Sequence, residues 1–361
     1  MNDFAAGFFA PWIIYAVMLV LHLVLPARSV AGYVRDKETG GPLRYRLNGL
    51  LVLGVLVVLW VVFGLTGVLD WDWLYVHRWS GLIGSAVLGV LLSIVAFWAA
   101  PPTGRSFLAD LYFGRAMNCQ YFRARTDVKM FLYLVGAAML GLNLLSFTAH
   151  HILEFKPDYS PGVVVYCVLF FWFISEYLFF ERVHLYTYDI FAERIGFKLI
   201  WGCFAFYPYF YLIGLWATAH RPDPGIRWWL LVIAGVVFFA GWTLARGANM
   251  QKYSFKTRAD HVFLGLMKPE TLTDGKNSLL CSGFWSASRH INYLGEILQA
   301  VGLSLALGYP GVWLVWLYPL FYVFLLFTRE RADERRCAAK YGDLWTEYVA
   351  RVPRRIIPWL Y

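Results

Sequence analysis

The chain has 361 residues, 60% of them apolar and 19% aromatic, with only 15% charged. Soluble domains carry about 45–50% apolar and about 25% charged residues, so this balance argues against a water-soluble globule. The formal charge of +9 lies in loops between apolar runs, which points to a membrane surface or an anionic ligand and away from nucleic acid.

Nine apolar runs follow in chain order, centred on Pro11 to Leu25, Leu50 to Leu69, Ser80 to Ala100, Met130 to Phe147, Gly162 to Phe180, Leu199 to Ala219, Trp228 to Leu244, Ile297 to Leu307 and Val312 to Phe327. Such runs suit helices crossing a hydrocarbon core of about 30 Å. The first has no basic n-region or small-residue cleavage site and reads as a retained span. Gly81 and Gly84 in the third run suit close helix packing. Gly308-Tyr309-Pro310-Gly311 is a turn that makes the last two runs an antiparallel hairpin. With the N-terminus outside, 28 of the 32 basic residues fall in inside loops, the asymmetry that orients membrane proteins. The expected fold is therefore an all-α polytopic bundle of about nine spans, N-out and C-in, forming one membrane domain over residues 1–361. Tryptophan and tyrosine at span ends, such as Trp71, Trp73, Trp228, Trp229 and Trp359, read as interfacial anchors among membrane lipids.

Five cysteines (Cys119, Cys167, Cys203, Cys281, Cys337) show no C-x-x-C spacing, so neither a disulfide framework nor a zinc site is expected. His150-His151 with Glu154 occupy an outside loop and read as an interfacial pair, and no metal is expected. A G-x-G-x-x-G turn, a Walker A loop and H-E-x-x-H are all absent. Any nucleotide must be held in another way.

The segment from Arg246 to Ile297 is too long and polar for a plain connector. It holds Arg246-Gly247-Ala248-Asn249-Met250-Gln251-Lys252, then Lys256 and Arg258, then Leu279-Leu280-Cys281-Ser282-Gly283-Phe284-Trp285 and Arg289-His290-Ile291-Asn292-Tyr293-Leu294-Gly295-Glu296. Arg329 and Asp333, Arg336-Cys337, Lys340-Tyr341-Gly342 and Val352-Pro353-Arg354-Arg355-Ile356-Ile357-Pro358 complete it. Lysine and arginine can neutralise phosphates, Asn and His can bond ribose or carboxamide, and aromatic faces can stack on a ring. On spacing alone, a basic aromatic membrane face explains the same residues equally well.

These strings resemble the C-terminal signature of the sterol reductase family, which includes Δ14- and Δ7-sterol reductases and the membrane half of the lamin B receptor. Upstream, Tyr45-Arg46-Leu47-Asn48-Gly49, Phe113-Gly114-Arg115 with Asn118, and Thr187-x-Asp189-Ile190 with Gly196-Phe197 are similar to further family motifs. Family members usually have ten spans, with the first of these motifs after the second span; here it follows the first run, so a counterpart of the family's initial helix is not expected, and Asn118-Cys119-Gln120 and Gly214 depart from the family's pattern. The resemblance implies NADPH in a cytoplasm-facing pocket, contacted by Lys252, Lys256 or Arg258, Leu280, Trp285, Arg289, His290, Asn292, Tyr293, Arg329 and Asp333, with Lys340 and Tyr341 behind them. It also implies a sterol entering from the bilayer, with residues 1–245 mainly spans and sterol-side residues and 246–361 binding the nucleotide. The membrane would be of the bacterial inner or endoplasmic reticulum type. Two other readings stay open: a membrane methyltransferase of the isoprenylcysteine type, which would bind S-adenosylmethionine, and a non-catalytic receptor on the same fold.

Reducing a ring alkene needs a proton on one carbon and hydride on the other, hence an acid in a dry cavity. Glu176, Tyr177, Glu181 and Asp189 lie near the cytoplasmic end of the fifth span, and Tyr209 and Tyr211 lie in the sixth. Glu176 and Glu181 are about 140° apart on a continuous helix, so they do not form one carboxyl pair. A structural ion pair for Glu176 and aromatic packing for each tyrosine are the competing explanations.

Overall fold

The computed structural model describes residues 3–36 and 39–361. Among them seven helices are long and apolar enough to cross a membrane: α1 (Asp3–Val24), α2 (Gly49–Thr66), α3 (Arg78–Trp98), α4 (Val128–Phe155), α5 (Pro161–Phe179), the composite α6 (Phe197–Thr218) and α7 (Trp228–Thr257). These are the first seven expected runs. Run eight is α8 (Ile291–Leu307), 17 residues long, which at 1.5 Å per residue spans about 25 Å, short of a full core. The ninth becomes a 3₁₀ turn, Trp313–Trp316, followed by α9 (Leu317–Tyr341), whose second half is polar and carries Arg329 to Lys340. Gly308 caps α8 with φ +77°, the left-handed turn that starts the α8–α9 hairpin. Helix α10 (Asp343–Arg351) follows. The chain divides into two compact units, Met1–Pro224 and Gly225–Tyr361.

In the first unit α4 is the axis, mostly buried where α1 and α2 are mostly uncovered. Its sequence explains the position. Gly136, Ala137, Ala138, Gly141, Asn143, Ser146 and Thr148 are small or hydrogen-bonding, the residues that hold helices together where no hydrophobic force can. The Gly81–Gly84 expectation holds at the α1–α3 crossing: a β-carbon on Gly84 would stand 1.9 Å from the Phe8 carbonyl. Trp12 Nε1 donates to the Gly84 carbonyl at 2.8 Å. Strands β1 (Arg28–Arg35) and β2 (Pro42–Leu47) form an antiparallel hairpin with Val30 opposite Tyr45, before α2.

Helix α6 is broken by a π turn at Gly202–Phe206 and by Pro208. Proline has no N–H to offer the carbonyl four residues back, at Phe204. Tyr15 Oη donates to that carbonyl at 2.6 Å, and Asn143 Nδ2 donates to the Pro208 carbonyl at 3.1 Å. The break is thus satisfied from neighbouring helices, as a membrane interior demands.

The second unit is built on α7 and α8 packed antiparallel through glycines. Added β-carbons would lie 2.8 Å from the Ala234 carbonyl at Gly302, 2.5 Å from the Gly295 carbonyl at Gly241, and 2.4 Å from the Ala245 nitrogen at Gly295. This register carries the polar end of α7 alongside the start of α8. The segment between them folds as the short hairpin β3 (Thr271–Thr273) and β4 (Ser278–Leu280) and one helical turn, Phe284–Ala287.

Candidate functional site

The signature strings prove to be interlocking surfaces of the second unit. Gly247 leaves room for the Phe284 ring, whose nearest atom would be 2.4 Å from a β-carbon there. Gln251 donates through Nε2 to the Ser282 carbonyl at 3.1 Å and accepts from the Phe284 amide at 3.0 Å. Between them Gly283 takes φ +63°, with the Gln251 amide only 2.3 Å from where a β-carbon would be. Trp285 Nε1 donates to the Ala248 carbonyl at 2.9 Å, and Ala248, Leu280, Trp285 and Ile291 form one buried cluster.

The C-terminal string closes over this core. Arg289 and His290 donate their amides to the carbonyls of Arg354 (2.9 Å) and Arg355 (2.8 Å). Ser288 Oγ donates to the Ile356 carbonyl at 2.9 Å. Arg289 Nε donates to Glu334 at 2.6 Å and its Nη1 to the Val352 carbonyl at 2.7 Å. Buried beside Glu334, it holds the C-terminal strap.

The nucleotide residues that do come together surround Lys252. Its Nζ lies 5.4 Å from the Trp285 ring centroid, and its charge acts on His290, Asp333 and Cys337. Lys256 feels the positive charges of Lys252 and Lys340. Lys256 and Arg258 both sit exposed at the end of α7. Lys340 Nζ lies 4.7 Å from the Tyr341 ring centroid. Asn292 Nδ2 reaches Asn249 at 3.4 Å, and the Tyr293 ring stacks on His290 at 4.9 Å. Asn292 Oδ1 and His290 Nε2 are buried polar atoms without a hydrogen-bond partner, a costly state that a ligand's polar groups would relieve.

Burial, then the charges of Lys252, Arg289 and Arg355, push the His290 pKa down to about 3, so its ring is neutral at pH 7. Burial pushes the Asp333 carboxyl up against the pull of Lys252 and Arg336. Burial and then Asp333 push the Cys337 thiol to about 12, which keeps it neutral. Arg329, Asp333 and Cys337 recur every four residues along α9 and share a face. His290, Glu330 and Glu334 also converge, with possible ligand atoms within 4.8 Å of one another. The two carboxylates already face arginines, Arg289 at 2.6 Å from Glu334 and Arg355 at 3.7 Å from Glu330.

In the first unit the six acid candidates separate. Tyr177 lies with its ring 4.0 Å from His184 and 6.4 Å from Tyr133, in electrostatic reach of Tyr207, Asp189, Cys203 and Glu181. Glu176 is half-buried in the last turn of α5, which ends at Phe179. Glu181 begins a separate helical turn, and its Oε2 accepts the Gly49 amide at 3.0 Å. It caps the start of α2. Burial lifts its pKa to about 7. Tyr209 joins a different polar group, accepting from Ser85 Oγ at 3.3 Å. The Tyr211 ring packs at 4.6 Å on Tyr207. Both nitrogens of His151 are occupied, by the Ala219 carbonyl (3.0 Å) and the Ser160 amide (2.9 Å), and His150 pairs with Asp72 at 2.9 Å. His151 is thus a buried joint and not an interfacial residue.

The fold defines a polytopic helical membrane protein, with lysines near Trp285 and His290 in one unit and half-buried Tyr177, Glu176 and Asp189 in the other. Residues 5–361 match the ergosterol biosynthesis ERG4/ERG24 family. The chain is 31% identical over 360 residues to the Delta(14)-sterol reductase of Arabidopsis thaliana, covering 96% of this chain and 94% of that one. It is 30% identical over 371 residues to the Delta(14)-sterol reductase of Methylotuvimicrobium alcaliphilum, covering 99% and 83%. Delta(14)-sterol reductase TM7SF2 of Mus musculus is 32% identical over 374 residues, covering 98% and 86%. The chain belongs to the ERG4/ERG24 family of sterol reductases.

Proposed function

We propose that the protein saturates the Δ14 double bond of a sterol at the expense of NADPH. The relatives' names support the reaction. The observation that carries the cofactor is the gathering of Lys252, Lys256 and Lys340 with the unpartnered polar atoms Asn292 Oδ1 and His290 Nε2. These residues fit NADPH. The lysines would neutralise its phosphates, the Trp285 face would pack on a ring, and Asn292 and His290 would bond carboxamide or ribose. NADPH supplies the hydride. The proton is the chain's own contribution, and Tyr177, on which the Asp189 charge acts, is the donor we favour: a phenol holds its proton at neutral pH, and a carboxylate in reach can accept and return one.

The charge asymmetry supports an N-out, C-in orientation with the lysine pocket at the cytoplasm, and the sterol would enter from the bilayer. The whole-chain family match favours reduction over methyl transfer. The test is purified protein in lipid nanodiscs, given NADPH and sterols with Δ14, Δ7 or side-chain unsaturation in turn. NADPH oxidation matched by loss of the Δ14 bond is expected. Failure to bind NADPH, or to reduce any of the three, would sink the reading, and tight binding of S-adenosylmethionine in its place would restore the methyltransferase.

A further inference from the structure

Lys129, in the first turn of α4, is only 1% exposed, a setting where a charge is costly unless its partners are built in. Its Nζ donates to the carbonyl of Ile190 and, at 3.0 Å, to that of Glu193. Both lie in the polar crossover between α5 and α6, and the residue just before Ile190 is Asp189. The charges of Asp127, Asp189 and Glu193 and the Cys119 thiol act on the ammonium. Asp189 in turn acts on Tyr177 and on Cys203.

Ile190 is wholly buried against Tyr45, Met130 and Leu185, so apolar packing already anchors the crossover. A neutral donor would serve the two carbonyls with a smaller desolvation cost. What only a cation adds is attraction for the carboxylates around it, Asp127 first and then Asp189 and Glu193, and of these Asp189 is the one whose charge also acts on Tyr177. We infer that Lys129 is the positioning residue of proton delivery: it grips the Ile190–Glu193 crossover by hydrogen bonds and draws the Asp189 carboxylate into place beside Tyr177.

The inference rests on the reductase reading, and the experiment separates the two. Wild type, Lys129→Met, Lys129→Arg, Asp189→Asn and the Lys129→Met/Asp189→Asn double variant are compared in nanodiscs for NADPH affinity, sterol KM, kcat and the solvent deuterium isotope effect on kcat. Lys129→Met should lower kcat at least tenfold and enlarge the isotope effect, with NADPH affinity and sterol KM within about twofold of wild type. Lys129→Arg should recover most of kcat, and the double variant should be no worse than the poorer single one, because both changes break one linkage. A purely structural lysine would instead raise KM and lower the melting temperature without altering the isotope effect, which overturns the inference while leaving the reductase reading intact. An inactive wild type would remove both. If Lys129→Met does not fold, Asp189→Asn and Lys129→Arg decide: loss confined to kcat in the first with near-normal kcat in the second supports the inference, and any other pattern overturns it.

Discussion

Replacing Gly241 by alanine tests whether the α7–α8 contact sets the nucleotide pocket. The new β-carbon would sit 2.5 Å from the Gly295 carbonyl oxygen and 2.7 Å from the Gln299 nitrogen. Ordinary contact begins at 3.4 Å, so the two backbones must part by about 0.9 Å at this point. Both obstacles are backbone atoms in helices and cannot rotate away. Overpacking of this kind costs about 1–3 kcal/mol. The displacement is carried along α8 to Asn292 and along α7 to Lys252, and a shift of about 1 Å can cost about 10²-fold in rate. Melting by scanning fluorimetry and an NADPH titration should both respond. Gly235→Ala is the control, because nothing lies within 4 Å of its β-carbon position. It should be neutral or stabilising by up to about 1 kcal/mol. If Gly241→Ala melts like Gly235→Ala and binds NADPH as wild type does, the close contact is not what positions the pocket.

Lys340→Ala should weaken NADPH binding by about 1.5–3 kcal/mol if the lysine bonds a phosphate, and an isothermal titration showing unchanged affinity would remove it from the site. Tyr177→Phe should cut kcat by about 10²–10⁴ while NADPH affinity holds, whereas Glu181→Gln should leave kcat near wild type. Burial raises the Glu181 pKa from 4.5 to about 7, so the folded state keeps a proton that the unfolded state loses. The stability this gives is full below pH 4.5 and is lost as pH rises through 7. Glu181→Gln, neutral throughout and still able to accept the Gly49 amide, should therefore melt higher than wild type at pH 8 and show a flatter pH dependence between 4.5 and 7. Matching pH profiles for the two proteins would show that Glu181 is ionised in the fold at neutral pH.

The sequence by itself determined the class of fold and seven of the spans, because the need for about 20 apolar residues per crossing is a local property. It also pointed to the family, since its strings resemble motifs of the family that the whole chain matches. It could not name the partners of Glu181 and Arg289, because a carboxylate or guanidinium reads as chemistry until its partner is known. Those partners, the Gly49 amide, Glu334 and the Val352 carbonyl, are 132, 45 and 63 residues away. The same limit hid Lys129, which in sequence is one more basic loop residue and in the fold is a buried cation bonded to carbonyls 61 and 64 residues on. Only the tertiary structure could decide these cases, because a charged side chain's role is set by which groups fill its first coordination of hydrogen bonds. In a chain crossing a membrane many times those groups come from distant helices.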